Sequence, residues 1–326
     1  MSERTQPSTP HRFEGVVRVD HLSKRFGTVQ AVDDLSFQVG PGRVTGFLGP
    51  NGAGKTTTLR MLLGLVRPTG GTATIDGHAY HSIHRPGRVV GAALEASSFH
   101  PGRSARDHLR VIAPQIGVDD RRCDEVLELV GLKDAANRRA GGFSLGMRQR
   151  LGLAATLLGD PRVLLLDEPA NGLDPEGIAW LRQFLRFLAA EGRTVLVSSH
   201  VLSEVQQTVE DVIIIAKGRL VHASSLAELA GLTERRVLVA SPDAERLERL
   251  ADEHWPGKVE RTDRPGSVVI ADVEPAAVGA AAFAAGLELH ELARRDVGLE
   301  DIFLRLTGDP ATNHRPAVPA NEGGVA

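Results

Sequence analysis

The sequence predicts an α/β fold: a mainly parallel, doubly wound sheet, followed by a small α+β domain toward the C-terminus. Three observations predict it. A glycine-rich loop, Gly49 to Thr56, stands between a short apolar strand and the start of a helix. A second apolar run, Val163-Leu164-Leu165-Leu166, ends abruptly in two acids, as a strand buried on both faces would. Strand-like and helical segments then alternate until about Ser225, where the texture changes.

The loop reads Gly49-Pro50-Asn51-Gly52-Ala53-Gly54-Lys55-Thr56 and fits G-x-x-x-x-G-K-[ST]. Arg43 to Leu48 precede it as a strand; Thr57 to Leu63 follow it as a helix, with Gly64 marking the end. Glycines let the backbone turn its N–H groups inward, and a helix N-terminus adds partial positive charge, so the stretch is a cradle for nucleotide phosphates. Lys55 supplies a full charge for the β- and γ-phosphates, and the Thr56 hydroxyl is placed for Mg²⁺. A plain glycine-rich turn with a surface lysine is the alternative, and the flanking strand and helix argue against it.

Composition bounds the rest. The 326 residues suffice for one large domain or two medium ones, and 42% hydrophobic with 24% charged content suits a globular chain. A net charge of -3 gives no case for nucleic acid as a partner. A single cysteine, Cys123, excludes an intrachain disulfide framework; between a reactive thiol beside Arg121 and Arg122 and a bland helix-face cysteine, the bland reading is favoured. No run reaches the length of a membrane-spanning helix; the nearest, Ala276 to Leu287, is mostly alanine and glycine. The polar residues Met1 to Pro10 do not read as a secretory signal.

Taken in order, residues 1–14 read as disordered. Val16 to Asp20 alternates as an edge strand would, Leu35 to Val39 alternates again, and Thr72 to Ile75 is a strand closed by Asp76-Gly77. His78, His81 and His84 recur every three residues, either as three imidazoles on one helix face or as a polar loop; Pro86-Gly87 favours the loop. Ala105 to Ala140 turns helical, with Val126, Leu129 and Val130 at helical spacing. Ser144 to Leu158 and Ile178 to Ala190 are further helices; Thr194 to Ser198 and Val212 to Ile215 are strands. Beyond Ser225, Val237 to Ala240 is a strand, Ser241-Pro242 caps a helix, Ser267 to Ile270 is a strand, and Pro275 to Ala285 is a helix. Leu299, Ile302, Phe303 and Leu306 mark a last helix. A split βαβ arrangement fits this part, and the tail from Gly308 reads as disordered.

The acids ending the second strand have distinct candidate roles. Asp167 is placed to hold Mg²⁺, directly or through water, and Glu168 to act as general base for water attacking a γ-phosphate. At this point the chain, over about Val16 to Val221, resembles the nucleotide-binding subunits of ABC transporters. The family signature, usually Leu-Ser-Gly-Gly-Gln, stands here as Phe143-Ser144-Leu145-Gly146-Met147, keeping only Ser144 and Gly146. The resemblance implies that this helix start contacts ATP held by a second copy. Asn171-Gly172-Leu173-Asp174-Pro175 resembles the D-loop that links the two sites, and His200 resembles the switch histidine. A neutral imidazole there either accepts from the attacking water or donates to phosphate. Phe26 matches the aromatic that stacks on adenine, against the alternative of a core phenylalanine. Glu95 stands where the family usually has glutamine; it either ligates Mg²⁺ or is a solvated loop acid. Glutamate at this place, and the ending Val297 to Thr307, are similar to exporter subunits of antibiotic self-resistance.

The fold so implied is a P-loop NTPase of ABC type with antiparallel β and helical subdomains. Its expected bounds are 15–225 for the ATP-binding domain, with a helical subdomain over about 96–158, and 226–307 for the accessory domain; 308–326 form the tail. The expected function is ATP hydrolysis with Mg²⁺, driving export through a separately encoded membrane permease, by a homodimer at the cytoplasmic face of a bacterial membrane. A soluble ABC ATPase acting on DNA or ribosomes is the rival; one set of motifs, no coiled coil and an acidic balance count against it. The cargo is left open among drug, peptide, lipid and polysaccharide.

Overall fold

The computed structural model describes residues 13–94, 99–231, 235–295 and 299–308. Glu95 and the tail after Gly308 lie outside the described residues, as does 1–12. The chain divides into two compact units, one running to Leu226 and one from Ala227 to Leu306.

The first unit begins with a three-stranded antiparallel sheet. It comprises β1 (Val17–Phe26), β2 (Val29–Val39) and, after the intervening β3 (Val44–Leu48), β4 (Gly70–Ile75), ordered β2-β1-β4. Val16 to Asp20 therefore opens a central strand, not an edge one: β1 pairs on both sides, and its alternating Val17 and Val19 are buried. Nor is residue 13 loose. Phe13 packs edge-on against His78 at 5.9 Å, and the Gly15 and Val16 N–H groups donate to the Asp76 carboxylate at 2.9 and 2.8 Å. Around His81 the chain makes one 3-10 turn only, so His78, His81 and His84 do not share a helix face.

The main sheet is built from β3, β5 (Val90–Ala93), β6 (Val163–Asp167), β7 (Thr194–Ser199), β8 (Asp211–Ala216) and β9 (Arg219–Ser225), in the order β5-β6-β7-β3-β8-β9. The first five are parallel and β9 is antiparallel to β8. Every residue of β3 and β7 is buried, as are Val163 to Leu166 of β6, which explains why β6 reads as a continuous apolar run. The order also fixes the site. Because β6, β7 and β3 are neighbours, their carboxyl ends carry Asp167-Glu168, His200 and the Gly49 loop side by side. This is the crevice in which open parallel sheets bind ligands.

Helix α1 (Lys55–Leu62) follows the loop, with Leu63 as its C-cap and Gly64 beyond it at φ +68°. Between β5 and β6 lie α2 (Ala105–Ile116), α3 (Asp120–Leu129) and α4 (Leu145–Leu157), each started by a side-chain cap from Ser104, Asp119 and Ser144. In α3 the inward face is Cys123, Val126, Leu127 and Val130; Leu129, expected inside, is 40% exposed. The true stripe runs i, i+3, i+4, i+7 from the cysteine, so Leu129 falls one position off it. Cys123 is thus a core residue, its thiol pushed up by burial and by the nearby Asp120 carboxylate. Helix α5 (Pro175–Ala190) joins β6 to β7, and α6 (Leu202–Val205) follows β7.

After α7 (Leu226–Gly231), the second unit runs β10 (Arg236–Ala240), α8 (Ala244–His254), β11 (Val259–Arg261), β12 (Ser267–Ala271), α9 (Pro275–Ala284) and β13 (Glu291–Arg294). The sheet order β11-β12-β10-β13, all antiparallel, is a split βαβ layout. Val237, Val239, Val268 and Ile270 pack with Leu247 and Leu250 of α8 and Val278 and Ala282 of α9. The cap of α8 is Asp243, whose carboxylate accepts from Arg246 N–H at 3.1 Å; Ser241-Pro242 stands too far upstream to reach the first turn. Helix α10 (Leu299–Thr307) buries Ile302 and Phe303.

Candidate functional site

The site starts from the loop glycines. Gly54 sits at φ +104°, and a Cβ there would come within 2.6 Å of the Ala31 carbonyl oxygen. Gly49 has no room either, since its Cβ would lie 2.4 Å from Ile215 O. Both positions demand glycine, one for conformation and one for close approach. As N-cap of α1, Gly54 offers no side chain, so the first-turn N–H groups lack the side-chain cap that α2, α4 and α5 carry. Those free donors, at the positive end of a helix, suit phosphate. Around them is a pocket of about 370 Å³ lined by Asn51, Gly52, Ala53, Gly54, Lys55, Thr56, Thr57, Glu168, Asn171 and His200, among others.

Lys55 is 6% exposed, with its Nζ donating to Gly49 O at 2.6 Å and lying 3.5 Å from Glu168 Oε1. Burial holds its ammonium below the usual lysine range, while Glu168 and Asp167 pull the other way. Glu168 turns its second oxygen, Oε2, to His200 Nδ1 at 2.9 Å. One carboxylate thus bridges the loop lysine and the strand-end histidine. Its backbone is in the left-handed region at φ +49°, uncommon for a residue with a Cβ. Beside it, Thr56 Oγ1 donates to Asp167 Oδ2 at 2.7 Å, and Ser198 Oγ donates to Asp167 Oδ1. Thr56 and Asp167 are hard oxygen donors held together, the kind of set a Mg²⁺ ion takes.

Of the expected site residues, the loop, Thr57, Asp167, Glu168 and His200 come together here. Others do not line this pocket. Phe26 ends β1, is 49% exposed and has the Lys24 ammonium 4.8 Å from its ring centroid, so it is no core phenylalanine. Ser144 caps α4 by accepting from Met147 N–H at 3.3 Å, with Gly146 in the first turn. Asp174 caps α5 by accepting from Gly177 N–H at 2.8 Å. Asn171 and Ser198 belong to the cluster and were not among the expected site residues. Asn171 is visible in the D-loop stretch; Ser198 shows only as a polar residue ending an apolar strand.

Residues 32–171 match the ABC transporter family model, and residues 235–300 match a domain of unknown function (DUF8746). The chain is 35% identical over 298 residues to the bacitracin transport ATP-binding protein BcrA of Bacillus licheniformis, covering 90% of this chain and 97% of that one. It is 36% identical to the Nod factor export ATP-binding protein I of Paraburkholderia xenovorans (strain LB400), covering 90% and 98%. Among solved structures, an ATP-binding subunit of an ABC transporter superposes with a TM-score of 0.60 at 26% identity, over 66% of this chain and 92% of that one. The chain belongs to the ABC transporter ATP-binding proteins, the ATP-hydrolysing subunits of these transporters, in the branch that holds the bacitracin and Nod factor transport proteins.

Proposed function

We propose that this chain works as two copies that close on ATP and Mg²⁺ to drive export of an antibiotic or a comparable natural product through a separate membrane permease. The observation that carries the reading is the Lys55–Glu168–His200 chain at the mouth of a phosphate loop. A loop that only bound nucleotide would need Lys55. A carboxylate held between that lysine and a histidine is equipped to take a proton from water as it attacks the γ-phosphate. His200 then orients Glu168 or donates to the phosphate. Thr56 and Asp167 would hold Mg²⁺, which, when bound, supplies charge stabilisation for the phosphates.

The remaining residues gain roles only with a second copy. Ser144 and Gly146, at the start of α4, would meet the γ-phosphate held by the other copy's loop, where the helix dipole and the first-turn N–H groups other than the capped Met147 favour an anion. Asp174 would serve in the D-loop between the two sites. Phe26, with its open ring, would stack on adenine. Glu95 would sit by the metal in place of the usual glutamine. Export rather than import, and an antibiotic-like cargo, rest on the similarity to the bacitracin and Nod factor proteins. Among the described residues no helix is long and apolar enough to cross a membrane, which leaves the pathway to a partner; attachment at the cytoplasmic face follows from that partnership.

The test is drug accumulation. A host expressing this chain with its permease should exclude labelled bacitracin-type antibiotics, and a Glu168→Gln chain should not. Equal accumulation with both chains, across a panel of such compounds, would refute export of this cargo class.

A further inference from the structure

Ser198 lies where the two acids converge. It stands near the end of β7, fully buried, and pairs in register with Asp167 of the neighbouring parallel strand β6. Its hydroxyl donates to Asp167 Oδ1 and accepts the backbone N–H of Glu168 at 2.9 Å. A serine oxygen has one proton and two lone pairs, so a single hydroxyl can serve both acids at once. Ser199, next along the strand, does not duplicate it: its hydroxyl turns to the Val201 backbone.

Each bond has a geometric consequence. Asp167 Oδ2 accepts from Thr56 Oγ1 at 2.7 Å, so the bond from Ser198 to Oδ1 pins the carboxylate from its other side. That choice decides which oxygen faces Thr56. Glu168 sits at φ +49°, a conformation that must be held by its surroundings. The N–H bond to Ser198 fixes the orientation of the peptide between the two acids, and with it the direction of the Glu168 side chain toward Lys55 and His200.

The geometry points to Ser198 as a positioning residue for ATP hydrolysis: its one hydroxyl sets the Asp167 oxygen that faces Thr56 and the strained backbone that aims Glu168. This rests on the roles proposed above for Asp167 and Glu168. Removing the hydroxyl therefore disturbs both the metal-facing oxygen and the base. A merely structural serine would affect thermal stability alone.

The experiment uses the full chain with Ser198→Ala and Ser198→Thr. Four quantities are measured: ATPase kcat, the Mg²⁺ concentration for half-maximal rate, calorimetric affinity for ATP with Mg²⁺ and in EDTA, and Tm. Ser198→Ala should lower kcat by ~10–100-fold and raise the Mg²⁺ requirement by ~10-fold, the usual cost of losing an outer partner of a metal or catalytic group. Its affinity for MgATP should fall and its affinity for ATP in EDTA should hold. Ser198→Thr, which keeps the hydroxyl, should recover both kinetic values. Where Ser198→Ala yields no folded protein, Ser198→Cys takes its place with the same expectation, since sulfur is a weak donor and acceptor. Wild-type kcat and Mg²⁺ dependence in Ser198→Ala would overturn the assignment and leave the ATPase reading intact. Wild-type chain that does not bind ATP would overturn both.

Discussion

Glu168 Oε2 lies 2.9 Å from His200 Nδ1, while its other oxygen faces Lys55 Nζ at 3.5 Å. The three residues come from three different stretches: the loop after β3, the end of β6 and the end of β7. Only the sheet order β6-β7-β3 brings them into one chain of contacts. The acid is thereby held between a fixed cation and an imidazole, and a shift of any one strand end disturbs all three.

The lysine is the first consequence. Lys55 is buried, and that burial disfavours its ammonium and holds it below its ordinary range, a cost that an anionic partner beside it offsets. Lys55→Ala should weaken ATP binding by ~10–100-fold, the value of one hydrogen bond to a charged group. Its Tm should also fall, because the half-buried Glu168 carboxylate loses the cation beside it. Calorimetric titration with ATP checks the first and a thermal melt the second; undiminished affinity would mean the loop is not the nucleotide site.

A second consequence concerns the helix that Ser144 opens. Arg150 of α4 places its guanidinium 3.9 Å from the Trp180 ring centroid, and Trp180 stacks on Phe184 at 5.0 Å with 13° between planes. This ladder ties α4 to α5, and so the Ser144 end to the Asp174 end. Trp180→Ala should destabilise the chain by about 2 kcal/mol through lost cation–π contact and packing, and Trp180→Phe by less. Urea unfolding curves measure both. No difference between the two variants would show that the stack carries no stability.

Acid should weaken the helical region through His108. Its ring meets Phe99 edge-on at 4.8 Å, and burial, with help from Arg103, holds the imidazole below its usual 6.5. The unfolded chain then binds a proton at a higher pH than the folded one. Stability from this group is present above 6.5 and is lost as pH falls through the folded value. Between about pH 7.5 and about 5.5, wild-type Tm should drop more than that of His108→Gln. Parallel drops would assign the acid sensitivity to other groups.

What was legible in the sequence was local. The phosphate loop and Asp167-Glu168 are runs of consecutive residues whose chemistry depends on neighbours in the chain, and they stand where expected. What was not legible depends on register or on edges. Ser198 meets Asp167 only because β6 and β7 align at that pair. The strands β11 and β13 are the two edges of the second sheet, and such strands are short and rich in charge, so Val259-Glu260-Arg261 and Glu291 to Arg294 carry no apolar alternation to find. Strand β1 looked like an edge because alternation alone does not tell how many partners a strand has. The inward stripe of α3 was misplaced because it begins on Cys123, the one member that is not a branched aliphatic.

Glu168→Gln gives the sharpest measurement. The substitution keeps size and hydrogen-bonding shape and removes the ability to accept a proton, so it isolates the chemistry from the fold. Steady-state ATPase activity should fall by ~10²–10⁴-fold, the range for a general base. ATP should still bind with wild-type affinity and should hold two copies together, seen as a dimer in ATP-loaded size-exclusion chromatography. Turnover at the wild-type rate in this variant would contradict the assignment of Glu168 as the base.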